Sequence, residues 1–442
     1  MFTSKSLLSV AAAATLVVGC ADTQATAGAT TTPSPSPTTS AAPEIPATPA
    51  GAQLRWVIDG VGRAPLAESE FQEHVAADFL SQVPVNTFNE IFVSLKGMKL
   101  NSVNNAQPTL LYAVITAGGQ KFATTLGVDA TGKINTLRFE PVTPPPPAPK
   151  SWKELESRLA KVAPRTGYLA ARIDGRRCHT IRAGQKDTVR PLGSMFKLYV
   201  LGTVAKQVRE GRLSWDTQLT ITPELKSLPG GELQNRPDGS KVSVLEAAKL
   251  MISISDNTGT DLLMHKVGRE SVEKTLRAWG GHLKGNIPLL TTRELFQLKG
   301  ADYPRQARAY LAMSIPEKRA YLRTTVAKAP LSAIKPWPAP RELDTIEWFG
   351  SPADICRAHA ELRRLRDPKV GEVMSVNPGG LGQGTWFKGG SEAGVADLGY
   401  SYRRGGKTYF VTFMTSNLTA PLPSTAESEL VSLAQGASKL TR

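Results

Sequence analysis

A proline-rich segment at residues 141–149, with the sequence PVTPPPPAP, most limits how this chain can fold. Proline has no backbone N–H to donate and favours an extended polyproline II conformation, so neither a helix nor a central strand can run through this segment. A length of 442 residues is enough for two or three domains. We therefore predict a linker at 142–150 between a small domain at 53–141 and a large domain at 151–442.

The N-terminus has the pattern of an export signal. Lys5 supplies a positive charge, and residues 7–18 form an apolar run that is too short to span a bilayer comfortably but suits a signal peptide. The run ends in Val17-Val18-Gly19-Cys20, which resembles a bacterial lipobox, where the cysteine is lipidated. We predict a signal peptide at 1–20 and an exported lipoprotein held at the cell membrane through Cys20, on its extracytoplasmic side. An ordinary signal peptide with an incidental cysteine is the alternative.

Residues 21–52 form a second segment of low complexity. They are rich in Thr, Ala, Pro and Ser and contain little apolar surface to bury. We predict a disordered, partly extended tether between the lipid anchor and the folded part of the protein.

The small domain at 53–141 has the pattern of helices followed by strands. Phe71, Val75, Phe79 and Val83 recur at helical spacing and predict one helix. Strand patterns at 110–115 and 122–128 follow, joined by a glycine-containing turn that favours a hairpin. This order of elements loosely resembles NTF2-like domains, so we expect a small α+β domain with a binding or packing role.

The composition is basic, with a net charge of +15. Such a charge is compatible with attraction to nucleic acid, a membrane or a cell-wall surface. The chain has no block of five or more Lys or Arg residues, no zinc-ligand spacing and no nucleic-acid motif. We therefore expect no nucleic-acid partner, no metal and no cofactor. We interpret the charge as a dispersed basic surface, with attraction to an anionic envelope as the alternative.

Ser194 and Lys197 have the spacing S-x-x-K at the start of a helical pattern. Residues three apart lie on one face of a helix, so the hydroxyl and the amine would be neighbours. A lysine with a lowered pKa can take the serine proton while the hydroxyl attacks a carbonyl carbon. By itself this spacing is also typical of an exposed Ser-Lys pair, so it needs further support from the chain.

Two later segments supply that support. An amphipathic helix pattern ends in Ser255-Asp256-Asn257, and Lys388-Gly389-Gly390 opens a strand pattern. In this order the three elements resemble the S-x-x-K, S-D-N and K-T-G motifs of the serine β-lactamase and penicillin-binding protein family. The likeness covers most of residues 151–442, and MISISDNTGTDLL at 251–263 resembles the class A branch.

The resemblance implies a class A β-lactamase-like domain, an antiparallel sheet flanked by helices, that works through an acyl-enzyme. Its substrate would be a small acyl compound, such as a β-lactam, an ester or a D-Ala peptide. The implied catalytic roles are nucleophile for Ser194, general base for Lys197, proton transfer for Ser255 and binding of a substrate carboxylate for Lys388.

Further residues are implied as contacts of the substrate. Asn257 would hydrogen-bond an amide, and the backbone N–H groups of Ser194 and Ser391, beside Gly390, would form an oxyanion hole. The same pairing of domains resembles a group of two-domain bacterial proteins described as β-lactamase-like serine hydrolases.

The chain departs from the family pattern at two places. Gly389 stands where the family usually has Thr or Ser, and the region 280–294 lacks the Glu-x-x-Asn pair that activates the deacylating water in class A enzymes. Glu294 is the nearest acid, but with Thr291 it forms a capping-box pattern. We expect slow deacylation of β-lactams and a possible esterase. A penicillin-binding or D,D-peptidase-type lipoprotein with little turnover is the alternative.

Two cysteines remain after Cys20. Cys178 lies in a strand pattern and Cys356 at the start of a helix pattern. In an exported chain one disulfide between them is plausible, and two buried thiols are the alternative.

Overall fold

The computed structural model describes residues 43–106, 109–129, 131–142, 146–228, 230–335 and 337–441. The predicted signal peptide with Cys20, and the predicted tether as far as residue 42, lie outside the described residues. The chain forms two compact units that divide between residues 144 and 145.

The N-terminal unit consists of short helices followed by an antiparallel meander with the strand order β1-β2-β3-β4. Its elements are α1 (Pro49–Arg63), α2 (Glu68–His74), α3 (Ala77–Gln82), α4 (Val85–Ser94), β1 (Lys99–Ala106), β2 (Leu110–Ala117), β3 (Gln120–Val128) and β4 (Ile134–Pro141).

The first helix begins inside the segment that we predicted as tether. Thr48 is its N-cap, where the hydroxyl accepts a hydrogen bond from Gly51 N, and Pro49 occupies a first-turn position that suits proline. Leu54 and Val57 are fully buried in the core of this unit. The predicted boundary at residue 52 is therefore wrong, because helix capping starts the folded unit earlier.

The single helix predicted from Phe71 to Val83 is broken in two. Val75 ends α2, and Ala76 N donates to the carbonyl of Ile134 instead of continuing the helix. Val75 also forms an isolated bridge with Ile134. The apolar periodicity is real, but a hydrogen bond to a strand competes with the helix at its middle.

The C-terminal unit contains a larger sheet with helices on both faces. Its elements are α5 (Trp152–Val162), β5 (Arg165–Asp174), β6 (Arg177–Gly184), β7 (Arg190–Pro191), α6 (Lys197–Arg209), β8 (Gln218–Thr220), β9 (Lys241–Ser243), α7 (Val244–Ser253), α8 (Asn257–Val267), α9 (Arg269–Ala278), α10 (Thr292–Gly300), α11 (Arg305–Leu311), α12 (Ile315–Thr324), β10 (Phe349–Gly350), α13 (Pro352–Arg364), α14 (Pro368–Ser375), β11 (Trp386–Glu392), β12 (Val395–Arg404), β13 (Lys407–Ser416) and α15 (Ala426–Leu440).

The large sheet is antiparallel throughout and has the order β11-β12-β13-β5-β6. Side chains alternate between its two faces, as they do in any strand. On β13, Phe410 and Met414 join the core formed with α6, α7 and α8, whereas Val411 and Phe413 pack with α5 and α15. Because β13 is buried on both faces, it is apolar almost throughout. The strand order places β11 at one edge of the sheet.

A disulfide and two hydrogen bonds connect the outer elements of this unit. Cys178 on β6 and Cys356 on α13 form a disulfide, which is the pairing that the sequence allowed. The Pro147 carbonyl accepts hydrogen bonds from Arg158 Nη1 at 2.7 Å and from Ser432 Oγ at 3.1 Å. The end of the predicted linker 142–150 is thus packed on the large unit, and residues 143–145 lie outside the described part.

The predicted α+β class, with an antiparallel sheet flanked by helices, is confirmed. Among the residues that the structure describes, no helix has both the length and the apolar character needed to cross a bilayer.

Candidate active site

Ser194 lies in a short 3-10 turn, Gly193–Phe196, that leads directly into α6. The turn is fixed on one side by Trp348, whose carbonyl accepts a hydrogen bond from Leu192 N at 2.7 Å. The Trp348 ring also stacks on Phe196, with ring centroids 3.9 Å apart. In a 3-10 turn, side chains three residues apart are eclipsed, so Ser194 and Lys197 share a face.

The Lys197 side chain is completely buried, whereas Ser194 is partly exposed. Lys197 Nζ donates to the Ser255 carbonyl at 2.6 Å, to Asn257 Oδ1 at 2.7 Å and to Ser255 Oγ at 3.2 Å. The predicted S-x-x-K and S-D-N segments therefore meet at one amine. The exposed hydroxyl and the buried amine are the combination that a nucleophile and its base require.

Burial lowers the pKa of Lys197 to about 7, and the negative charges of Asp256 and Asp261 offset only part of this effect. A carbonyl oxygen and an amide oxygen can only accept hydrogen bonds, and they match the two N–H groups of a neutral amine. When Lys197 is charged, its third N–H donates to Ser255 Oγ; when Lys197 is neutral, a lone pair takes that place and can accept a proton from a hydroxyl. Lys197 thus has the environment of a general base near neutral pH.

Ser255 adopts a left-handed backbone conformation with φ of 61°. Such a conformation is strained for a residue other than glycine, and strain of this kind clusters at functional sites. Asp256 holds the next turn, because its carboxylate accepts hydrogen bonds from the backbone N–H groups of Glu232, Leu233 and Gly259. The middle residue of the S-D-N motif is thus a helix cap that fixes its two neighbours.

Lys388 on β11 reaches the same hydroxyl from the opposite side. Its Nζ donates to Ser255 Oγ at 3.1 Å and to the Gly389 carbonyl at 2.7 Å. Burial, followed by the nearby Lys197, lowers the pKa of Lys388 well below its ordinary value. Ser255 Oγ therefore lies between two buried amines and can pass a proton between them and a bound molecule.

The edge strand β11 approaches the Ser194 turn very closely at Gly390. A Cβ at Gly390 would lie 2.1 Å from the Leu192 carbonyl oxygen and 2.9 Å from Ser194 N. A Cβ at Gly193, which has φ of 48°, would lie 2.9 Å from Ser391 N. The backbone N–H groups of Ser194 and Ser391 are thus brought close together, as an oxyanion hole requires.

One expected contact is not formed. Lys197 donates to residues 255 and 257, and no hydrogen bond joins Ser194 Oγ to Lys197 Nζ among the described residues. In enzymes without bound substrate the catalytic hydrogen bonds are often long and tighten only in the substrate complex.

The capping role predicted for Glu294 is confirmed. Thr291 and Glu294 form a complete capping box at the start of α10. Both oxygens of Glu294 also bind Arg269, at 2.6 and 2.9 Å. Since residues 280–293 contain no other Asp or Glu, this loop presents no carboxylate to the site.

Sequence reasoning did not identify two residues that support the site. Asp261 is buried on α8 and accepts hydrogen bonds from the backbone of Thr292 and Arg293, which ties the S-D-N helix to α10. Burial raises the pKa of Asp261 to about 6. Trp348 is the second, and no local pattern indicates that it stacks behind the Ser194 turn, because the contact joins distant parts of the chain.

Comparisons with known proteins bear on this arrangement. Residues 155–325 match the model of the β-lactamase enzyme family, and residues 45–134 match the model described as the ORF 12 gene product N-terminal region. Over 106 residues the chain is 27% identical to β-lactamase VEB-1 of Pseudomonas aeruginosa, and the matched part covers 22% of this chain and 36% of that enzyme.

Two solved structures are similar at low identity. A β-lactamase from Sphaerobacter thermophilus is 18% identical with a TM-score of 0.47, over 66% of this chain and 97% of that chain. The structure of PBP-A is 20% identical with a TM-score of 0.43, over 67% of this chain and 98% of that chain. The family match and the sheet order confirm the β-lactamase-like fold of the large unit. The likeness of the small unit to NTF2-like domains stays a prediction.

The close approach at Gly390 gives a matched pair of variants. Gly390→Ala places a methyl group against backbone atoms at 2.1 Å, whereas Gly389→Ala places one no closer than 3.2 Å to any neighbour. We expect Gly390→Ala to lower the free energy of unfolding by about 1–3 kcal/mol and Gly389→Ala to change it by less than about 1 kcal/mol. Denaturant unfolding of the full chain measures both, and equal losses in the two variants would contradict the packing of β11 on the Ser194 turn.

Proposed function

We propose that this chain, whose residues 155–325 match the β-lactamase enzyme family, is a serine hydrolase that forms an acyl-enzyme on Ser194. The observation that carries this proposal is the meeting of three distant segments around Ser255, where Lys197 and Lys388 both donate to one hydroxyl. Among the described residues, neither lysine has a carboxylate among its hydrogen-bond partners, and burial lowers the pKa of both, which favours the neutral amines that proton transfer requires.

In this mechanism the neutral Lys197 takes the proton of Ser194 as Oγ attacks the carbonyl carbon of the substrate. The carbonyl oxygen becomes an oxyanion that accepts hydrogen bonds from the N–H groups of Ser194 and Ser391. Ser255 then donates its proton to the leaving nitrogen or oxygen and is reprotonated by a neighbouring ammonium. General-base catalysis contributes about 10²–10⁴ in rate and one oxyanion donor about 10²–10³.

The substrate class follows from the lining of the site. Lys388 beside Ser255 favours an acyl compound that carries a carboxylate. In a β-lactam the leaving nitrogen stays attached to the acyl group, so deacylation needs a well-placed water and base. The 280–294 loop supplies no carboxylate for that step, since Glu294 caps α10 and binds Arg269. We therefore propose slow turnover of β-lactams and faster turnover of esters, whose alcohol diffuses away after acylation and leaves space for water to reach the acyl group.

A second candidate is a penicillin-binding or D,D-peptidase-type protein with little turnover. The same lack of a carboxylate on the loop favours it, because an acyl-enzyme without an activated water is long-lived. The two candidates share acylation of Ser194 and differ in how fast the acyl group leaves.

Acylation of Ser194 is the first test. The full chain incubated with a penicillin or an activated ester should gain the mass of one acyl group, and Ser194→Ala should gain none. Ser428→Ala, a partly exposed serine on α15, serves as the control and should be labelled like the wild type. An unmodified wild-type protein, or labelling that persists in Ser194→Ala, rules the proposal out. The time course of return to the original mass separates a hydrolase from a binder.

The pH dependence of acylation is the second test. Lys197 must be neutral to act as a base, and its pKa is about 7. The acylation rate should therefore rise as pH increases from 5 to 8, by about tenfold per unit below pH 7. Lys197→Arg keeps a positive charge at every pH and should acylate about 10²–10⁴ times more slowly. A rate that is independent of pH between 5 and 8 would remove Lys197 as the base.

We further propose that the protein is an exported lipoprotein, held at the membrane through Cys20. The support is the sequence alone: the apolar run at 7–18, the Val17-Val18-Gly19-Cys20 pattern and the low-complexity segment that follows it. Expressed in a bacterium that processes lipoproteins, the wild type should be found in the membrane fraction and Cys20→Ala in the soluble or secreted fraction. Membrane association that is unchanged in Cys20→Ala contradicts the lipid anchor.

A further inference from the structure

A buried group of charges behind the catalytic serine takes no part in the chemistry described so far. Lys299, at the end of α10, is completely buried, and its Nζ binds Glu392 Oε1 at 2.7 Å and Glu347 Oε2 at 3.0 Å. The Glu347 and Glu392 side chains are only 1% and 11% exposed. Burying three charged groups costs free energy, so their placement needs a reason.

Two of the three residues, Glu392 and Glu347, directly adjoin residues that contact the Ser194 turn. Glu392 is the last residue of β11 and directly follows Ser391, whose N–H faces Gly193. Glu347 directly precedes Trp348, which stacks on Phe196. The group thus links β11, which carries the Ser391 N–H, to the segment around Trp348, which packs against the turn that carries the Ser194 N–H.

The two carboxyl groups are brought together by Lys299, because each accepts a hydrogen bond from the same Nζ. Glu347 Oε1 accepts from Trp348 N and its Oε2 accepts from Lys299. Glu392 Oε1 accepts from Lys299, and Oε2 has no donor within the part of the chain that the structure describes. A proton on Glu392 gives its unpartnered Oε2 a hydrogen to donate, and it leaves one carboxylate to balance one ammonium.

The electrostatics agree with one bound proton. Burial, with the neighbouring Glu347, raises the pKa of Glu392 well above its ordinary value. Burial opposes the charge on Lys299, but Glu392 and Glu347 outweigh it, so that the pKa of Lys299 is raised overall. Both shifts favour a charged Lys299 beside a protonated Glu392.

Three more charged residues surround the group. Burial raises the pKa of Asp397 on β12 well above its ordinary value, with Arg190 of β7 nearby as a partial counter-charge. Arg341 donates to the Lys299 carbonyl at 2.8 Å. Burial thus disfavours the charged form of Asp397 as well, and ionisation of Glu392 would place a second carboxylate beside Glu347 with only one ammonium between them.

We propose that Glu392, Glu347 and Lys299 form a proton-linked positioning element that holds the Ser391 N–H in place for the oxyanion. The inference rests on the proposed function, in which that N–H binds the oxyanion. Glu392 is a positioning residue and not a catalytic one, since the carboxylates that act on Lys197 are Asp256 and Asp261. When Glu392 loses its proton, repulsion from Glu347 displaces the end of β11, which as an edge strand is paired only with β12.

Glu392→Gln is the informative variant, because glutamine can accept from Lys299 and donate to Glu347 at every pH. In the wild type, acylation should fall at alkaline pH by at least about tenfold as the oxyanion donor is lost. In Glu392→Gln this fall should be absent, and the rate at pH 7 should stay within about threefold of wild type. Glu361→Gln, a buried carboxyl on α13 paired with Arg176, should keep the alkaline fall.

Hydrogen–deuterium exchange gives a readout that does not depend on activity. The peptide at residues 387–394 should lose protection at alkaline pH in the wild type relative to Glu392→Gln, because base-catalysed exchange of the free peptide is nearly the same in both. If the wild type is never acylated, the proposed function fails and this comparison still decides the inference. Equal alkaline behaviour of the two proteins in exchange, or a more than tenfold loss of acylation by Glu392→Gln at all pH values, overturns it.

Discussion

The complete burial of the Lys197 amine is the constraint on which the rest of the site depends. A buried ammonium without a carboxylate partner is unfavourable, so the amine shifts toward its neutral form. Three distant parts of the chain enclose it: the turn that carries Ser194, the S-D-N segment and the edge strand β11. Two of these parts have a backbone constraint of their own: Ser255 adopts a left-handed conformation, and Gly390 has no room for a side chain.

Two buried lysines within one domain show how partners decide protonation. Lys197 and Lys299 are both fully buried, but Lys197 binds a carbonyl, an amide and a hydroxyl, whereas Lys299 binds two carboxyl groups. The pKa of the first is lowered and that of the second is raised. A buried lysine can therefore act as a base, as we propose for Lys197, or remain a fixed positive charge, as we propose for Lys299.

Local patterns in the sequence were sufficient for some features of the fold and the site. The capping box at Thr291 and Glu294, the strand pattern that follows Lys388 and the helix that ends near Ser255 all depend on neighbours within a few residues. Other features were not accessible in this way. The helix predicted through Val75 is interrupted by a hydrogen bond to Ile134, and the first helix starts before residue 52, because a distant strand and a capping hydroxyl decide where a helix ends and begins.

The sequence by itself determined which residues could do the chemistry, since Ser194, Lys197, Ser255 and Lys388 are recognisable by residue type, spacing and order. Only the tertiary structure decided what state those residues are in. Burial and the choice of hydrogen-bond partners set the pKa of each amine, and both depend on residues that lie far apart in the chain. The Glu347–Glu392–Lys299 group is the clearest case, because no spacing relates its members and only the folded chain brings them together.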